Sequence, residues 1–116
     1  MATACLFIGW NRPSPGSESD AYKYLMSEAR ERLAAFKKQG YYESHELIGL
    51  TPHSGALNGF ILLKGERAKL DELRRTDDFE KFSMRLNRLF VGYGVMPGVT
   101  EEGIDKVAQR NPELFK

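Results

Sequence analysis

Apolar and polar positions along this chain predict a strand, a helix, two further strands, a second helix and a last strand. Residues 5–10 are apolar at both parities, which is typical of a buried strand. Residues 11–16 contain two prolines and break that strand. A helix then follows, with an apolar stripe at 3.6-residue spacing that consists of Tyr22, Leu25, Met26, Ala29, Leu33 and Phe36. Tyr24 lies outside this stripe, so we expect it to face solvent or a partner.

Capping residues mark the ends of the predicted helices. Ser17, with Asp20 three residues later, is typical of a capping box at the start of the first helix. Gly40 can adopt the left-handed conformation that ends it. The second helix is predicted to be broken, and Asp77 with Glu80 caps its second piece.

The remaining segments predict a hairpin, a last strand and a closing helix. Residues 41–50 and 57–64 form two strand-like runs around a six-residue loop. Residues 91–96 predict the last strand, which Pro97-Gly98 should stop. A short helix is expected at about 100–110, capped by Thr100, with inward-facing residues Ile104, Val107 and Ala108.

This order predicts a single α+β domain over residues 1–116, with a ferredoxin-like βαββαβ sandwich. Its four-stranded antiparallel sheet should carry both helices on one face and strands 1 and 3 in the centre. Those two strands are apolar on both faces, whereas a sheet with one wet face normally alternates. Leaving such a face in water would expose an unusually large apolar patch. We therefore expect a two-fold homodimer that packs sheet on sheet.

Composition and charge exclude several function classes. The chain has 17 Lys+Arg against 16 Asp+Glu, a net charge of +1, so it has no electrostatic footprint for nucleic acid or for an anionic membrane. Its apolar run at residues 4–10 is too short to span a bilayer and does not resemble a secretory signal. With Cys5 as the single cysteine, no disulfide framework or cysteine metal cluster can form. A cytoplasmic location is the resulting expectation.

Five residues are the candidates for a site. His45, on the second strand, could act as a general base near neutral pH. The other four are candidate ligand-binding residues: Trp10 and Arg12 at the end of the first strand, Asn58 before the third, and Tyr93 in the fourth. A structural role is the alternative for each of them, such as a core or dimer-interface anchor for Trp10. The two histidines lack the spacing of a metal site, so we expect no metal and no cofactor.

Glycines within the predicted strands suggest where a ligand would fit. Gly9, Gly49, Gly59, Gly92 and Gly94 all fall in these strands, where glycine costs packing and entropy. They could leave a hollow between sheet and helices for a flat molecule. Bulges and close contacts between helix and strand are the alternative explanation.

The chain resembles the dimeric α/β-barrel superfamily, a ferredoxin-like group that includes antibiotic-biosynthesis-monooxygenase-like, YCII-related and stress-responsive barrel proteins. The resemblance covers nearly the whole chain and rests on residues 5–10, Asn58–Gly65, Thr76–Phe79 and Phe90–Met96. The resemblance implies a dimer. The superfamily includes cofactor-free oxygenases, haem-binding enzymes, dehydrochlorinase-like lyases and proteins with no known activity. A haem ligand would require a histidine on the second helix or its strand, and neither carries one.

Two functional hypotheses from different classes are compatible with these patterns. In the first, a small dimeric protein binds a modest aromatic or apolar molecule between sheet and helices, with cofactor-independent oxygenation or proton transfer as its chemistry. In the second, the domain is a non-catalytic interaction or assembly module, or a ligand-sensing domain that acts in trans. No catalytic motif in the sequence decides whether the protein is an enzyme.

Overall fold

A four-stranded antiparallel sheet forms the framework of the computed structural model, which describes residues 2–115. The strand order is β2-β3-β1-β4, so the two predicted central strands do lie in the centre. Together with its helices the sheet fits an α+β ferredoxin-like fold. The strands are β1 (Ala4–Trp10), β2 (Ser44–Gly49), β3 (Gly59–Gly65) and β4 (Gly94–Val99).

The helices follow the order that the sequence predicts, with differences at their ends. The first runs through α1 (Glu18–Tyr24), a π-helical segment (Leu25–Ala29) and α2 (Arg30–Lys38). After β3 come α3 (Arg67–Arg74) and α4 (Asp77–Leu89), which form the predicted broken helix. After β4 come α5 (Glu101–Arg110) and a 3₁₀ turn (Pro112–Phe115). The predicted left-handed stop is present at Gly40, with φ of 88°.

The core lies between the helices and one face of the sheet. Alternate residues of β1 and β3 point into it, and Leu6, Ile8, Ile61 and Leu63 are almost completely buried. The cross-strand pairs Leu6–Leu63 and Ile8–Ile61 place these side chains side by side. Aromatic rings from α2 and α4 complete the layer, with Phe36 and Phe82 in edge-to-face contact at 5.9 Å. The side chains that face away from the helices form the open sheet face.

The π-helical segment corrects the prediction for the first helix. Tyr24 is only 7% exposed, whereas Tyr22 and Met26, which were expected in the buried stripe, are 56% and 61% exposed. A π-helical turn contains more residues than an α-turn, so it rotates the buried face relative to a uniform 3.6-residue period. Tyr24 packs on Phe82, and the guanidinium of Arg85 lies 5.8 Å from its ring centre.

Three strands and one turn also differ from the prediction. The strand β4 begins and ends three residues later than expected and includes Pro97, which was predicted to stop it. Proline is tolerated there because β4 is an edge strand and pairs only with β1. Gly92 lies in the preceding turn with φ of 65°, outside any strand. Strand β2 begins later than predicted because Tyr42 leaves the sheet, its side chain buried and its hydroxyl donating to the Leu33 carbonyl. Strand β3 begins two residues later than predicted and ends one residue later.

The helices begin close to the predicted positions, but the capping hydrogen bonds are not all made by the predicted residues. Ser17 precedes α1, but its side chain makes no capping hydrogen bond, so the predicted capping box is wrong. Thr76, one residue before the predicted Asp77, caps α4 by accepting from the Phe79 amide at 3.1 Å. Thr100 caps α5 as predicted by accepting from the Gly103 amide.

Helix α5 packs against the rest of the fold through a glycine rather than through its predicted apolar residues. A Cβ at Gly103 would lie 2.0 Å from the Thr3 carbonyl oxygen, so the helix approaches the start of β1 closely at this point. Ile104, predicted to face inward, is instead 46% exposed. Val107 and Ala108 are only half-buried. The apolar residues of α5 therefore remain largely outside the core.

The open sheet face is apolar at its centre. Phe7 and Phe60 stack on it with ring centres 5.2 Å apart, and Leu62 lies directly across from Phe7. Met96, also paired with Phe7, is 62% exposed. Within the described residues the helices pack on the opposite face, so Phe7, Phe60 and Leu62 are less buried than their helix-facing neighbours.

Candidate functional site

A cleft of about 730 Å³ lies between the first helix and strand β2, on the helix side of the sheet. Its size is within the range of about 300–1,000 Å³ that is usual for small-molecule sites. Three of the five predicted site residues, Trp10, His45 and Asn58, line it. The other lining residues are Asn11, Tyr22, Leu25, Met26, Arg30, Leu33, Leu47, Ile48, Gly49 and Leu50.

His45 is positioned on β2 opposite Leu63, so its side chain lies on the helix side of the sheet. Its Nδ1 is buried and has no hydrogen-bond partner within the described part of the chain. The Tyr42 ring lies edge-on to the imidazole with ring centres 5.7 Å apart. Burial lowers the pKa of His45 below its ordinary value, and the positive charge of Lys37 lowers it further. The imidazole is therefore held neutral at pH 7, the form that can accept a proton.

Trp10 and Asn58 form the end of the cleft at the start of β3. The Asn58 amide donates to the Trp10 carbonyl at 2.9 Å, and its side-chain Nδ2 donates to Asn11 Oδ1. Within the described residues, Asn58 Oδ1 and Asn11 Nδ2 form no hydrogen bond. The indole of Trp10 lies directly over Gly59, where a Cβ would be 2.7 Å from Nε1. This glycine therefore gives room to a side chain of the neighbouring strand β1, which is neither a ligand hollow nor the expected close contact between helix and strand.

Another in-strand glycine does open onto the cleft. Gly49, at the end of β2, lines it and has no atom within 4 Å of the position that a Cβ would take. Gly9, by contrast, lies on the opposite face beneath the rings of the open sheet face, where a Cβ would be 2.6 Å from the Phe7 ring. The predicted hollow is therefore carried by one of these glycines rather than by all of them.

The structure places the other two predicted residues outside this cleft. Arg12 is exposed, and its carbonyl accepts from the Val91 amide at 2.8 Å in the turn that precedes β4. The Tyr93 hydroxyl is 2.6 Å from Ser83 Oγ on α4. Burial raises the pKa of Tyr93 to about 12, which keeps this phenol protonated at neutral pH. Both residues contact structural neighbours and do not share a site with His45.

Three residues that line the cleft were not predicted as site residues. Tyr22, Met26 and Arg30 follow one another at four-residue intervals along the first helix and are all exposed. Residues four apart share a helix face, so the spacing itself was visible in the sequence. The prediction places Tyr22 and Met26 in the buried stripe because it assumes a uniform helical period through the π-helical segment, and it leaves Arg30 outside that stripe.

Elsewhere on the described surface, a second cleft, a metal site or a membrane-spanning helix could also indicate a function. A second cleft, of about 530 Å³, lies between α5 and the start of β1 and contains Arg67, Lys106 and Arg110 but none of the predicted site residues. Among the described residues, no group of three or more His, Cys, Asp or Glu side chains could hold a metal ion. Nor do residues 2–115 include a helix that is long and apolar enough to cross a membrane.

Comparison with known proteins supports the fold but identifies no function. The chain is similar to the crystal structure of PA3566 from Pseudomonas aeruginosa, with a TM-score of 0.58 and 20% sequence identity over 86% of this chain and 96% of that one. At this identity the likeness establishes the fold alone. No protein-family model matches the chain, and none of the curated proteins matches it.

Proposed function

We propose that this protein binds a small aromatic or apolar molecule in the cleft between the first helix and β2. The observation that carries the proposal is the convergence of Trp10, Asn58 and His45 on one cleft of about 730 Å³. Apolar walls with a few polar groups are the usual composition of ligand sites. The Trp10 ring and Leu47 supply apolar surface, and the asparagine pair supplies hydrogen bonds.

The chemistry that suits this arrangement is proton transfer without a cofactor. His45 is the basic side chain of the cleft that is held neutral near pH 7, and its buried Nδ1 has no partner within the described residues. A neutral imidazole beside a bound molecule can take a proton from an activated carbon or hydroxyl group. We assign His45 as that proton acceptor. Cofactor-free oxygenation would begin with the same proton removal.

The proposal includes a homodimer of the dimeric α/β-barrel type, formed through the open sheet face. Phe7, Phe60, Leu62 and Met96 present an apolar surface to solvent there. Covering several hundred Å² of such surface contributes more than about 5 kcal/mol before the cost of association. A second copy satisfies this face because the same apolar patch can meet itself across a two-fold axis.

Native mass spectrometry of protein purified from its own source tests the ligand proposal. Extra mass that persists under gentle ionisation is the expected result, and the Gly49→Leu variant should lose it because the new side chain fills the cleft. Lys81→Leu is the control, since Lys81 is an exposed residue of α4 that lines neither the cleft nor the open sheet face. Retention of the bound mass by Gly49→Leu would place the ligand elsewhere. Absence of bound mass, with no thermal stabilisation by phenols, quinones or acyl compounds, would favour the assembly module.

A further inference from the structure

The charges around the cleft indicate what kind of molecule it takes, provided that the proposed ligand-binding function is correct. The side chains that line it include one arginine and one histidine. Within the described part of the chain, no aspartate or glutamate is among them. Lys37 adds positive charge nearby, since it contributes to the lowered pKa of His45. The cleft is therefore locally cationic, although the whole chain is almost neutral, with a net charge of +1.

Arg30 is an exposed cation of the cleft. Among the described residues it forms no ion pair, and the exposed pair Lys69–Glu72 lies elsewhere, on α3. The guanidinium is a planar group with donors in a fixed fork, which matches a carboxylate in two parallel hydrogen bonds. Because no acidic side chain of the cleft occupies these donors, they are available to a ligand.

The position of Arg30 places charge recognition beside an apolar surface. Tyr22 and Met26 precede it at four-residue intervals, so the three side chains share one helix face. The opposite wall is built from β2, with Leu47 and His45. A molecule in this cleft therefore meets aromatic and aliphatic surface along its length and a guanidinium at one side.

We infer that the ligand is an aromatic or apolar organic anion, and that Arg30 binds its acidic group, a carboxylate or an enolate. The apolar body would lie along Tyr22, Leu47 and Trp10. His45, neutral and on the facing wall, would then be the acceptor for a proton on the body of the ligand. An anionic product of proton removal would be stabilised by the same guanidinium.

A matched pair of probes tests this inference by isothermal titration calorimetry at low salt. Naphthalene-2-carboxylate and naphthalene-2-carboxamide share one apolar body and differ in charge. The wild type should bind the carboxylate about tenfold more tightly than the amide, as expected for a charge-assisted hydrogen bond. Arg30→Gln should reduce that ratio to within about twofold and leave the amide affinity unchanged.

Arg32→Gln is the control, because Arg32 is an exposed residue of the same helix that faces Tyr24 and Arg85 in a different groove. It should keep the tenfold ratio. Equal affinities of the two probes for the wild type, or a ratio that persists in Arg30→Gln, would overturn the inference and leave the proposed function standing. If neither probe binds to the wild type, both the inference and the proposed function are overturned.

Discussion

The two faces of the central strands differ in burial although both are apolar. On β3, Ile61 and Leu63 point to the helices and are fully buried, whereas Phe60 and Leu62, their immediate neighbours, point to the open sheet face and are only half-buried. The sequence treats the two sets alike, with large apolar side chains at both parities. The helices of the chain cover one face of the sheet. The apolar side chains of the other face stay partly exposed in a single copy.

This difference separates the residues that fold the subunit from those available for association between subunits. The helix-facing side chains are closely packed, and their removal would leave cavities. The side chains of the open sheet face lose less contact when they are changed, because within the described residues no second layer packs on them. The candidate cleft lies at the margin of the helix-covered face, between the first helix and β2.

The largest expected effect is on the helix-facing side. Ile61→Ala should lower the free energy of unfolding by about 2–5 kcal/mol, because it removes a fully buried side chain from a packed core. Phe60→Ala, one residue away, should cost less than half as much per subunit at a protein concentration where both variants are monomeric. Urea denaturation measures both values. Equal losses would contradict the distinction between the faces.

A pair of glycines sharpens the comparison with a smaller effect. Gly59→Ala should destabilise the protein by about 1–3 kcal/mol, because a Cβ there would lie 2.7 Å from the Trp10 indole on the helix side. The displaced indole should also shift the fluorescence of Trp10, the single tryptophan. Gly94→Ala, on the open sheet face with open space beside it in one chain, should be close to neutral at a protein concentration where the chain is monomeric. Thermal unfolding with tryptophan emission checks both variants, and an unmoved spectrum in Gly59→Ala would contradict the packing.

The smallest effect concerns the pH dependence of stability. Because the pKa of His45 is lower in the folded state, the unfolded chain binds the proton first as the pH falls. His45 therefore contributes stability that is present above its ordinary pKa of about 6.5 and is lost as the pH falls through the folded value. His45→Gln should flatten this acid-side slope. Parallel slopes in the variant and the wild type, measured by urea denaturation between pH 7.5 and 5 (roughly one unit beyond the ordinary pKa on either side), would show that His45 is not desolvated.

Most of the fold could be predicted from periodicity and capping residues, since the apolar runs of the strands, the helical stripes and the Gly40 and Thr100 signals are local. The errors arose where tertiary context prevailed. Tyr24 is buried because the π-helical segment turns it toward Phe82, and no simple residue pattern marks such a segment. Pro97 remains in β4 because that strand lies at an edge, which sequence alone does not reveal.

The candidate site was less predictable than the fold. Trp10, His45 and Asn58 are brought together because β1, β2 and the loop before β3 meet at one corner of the sheet. Arg12 and Tyr93 are polar residues that could also bind a ligand, and they lie near strand ends in the sequence. Arg12 is held outside the cleft by its backbone hydrogen bond with Val91, and Tyr93 by its contact with Ser83. The sequence shows the type of each residue directly, whereas which of these side chains meet in one cleft depends on the topology of the whole sheet.

Sedimentation equilibrium at micromolar concentration tests the central claim, that a second copy covers the open sheet face. The wild type should sediment with twice the 13.2 kDa mass of one chain. Phe60→Lys should sediment as a single chain with an unchanged circular dichroism spectrum, because the new charge lies on the open sheet face and outside the core. A wild type that sediments as one chain, or a Phe60→Lys variant that remains paired, would contradict the account.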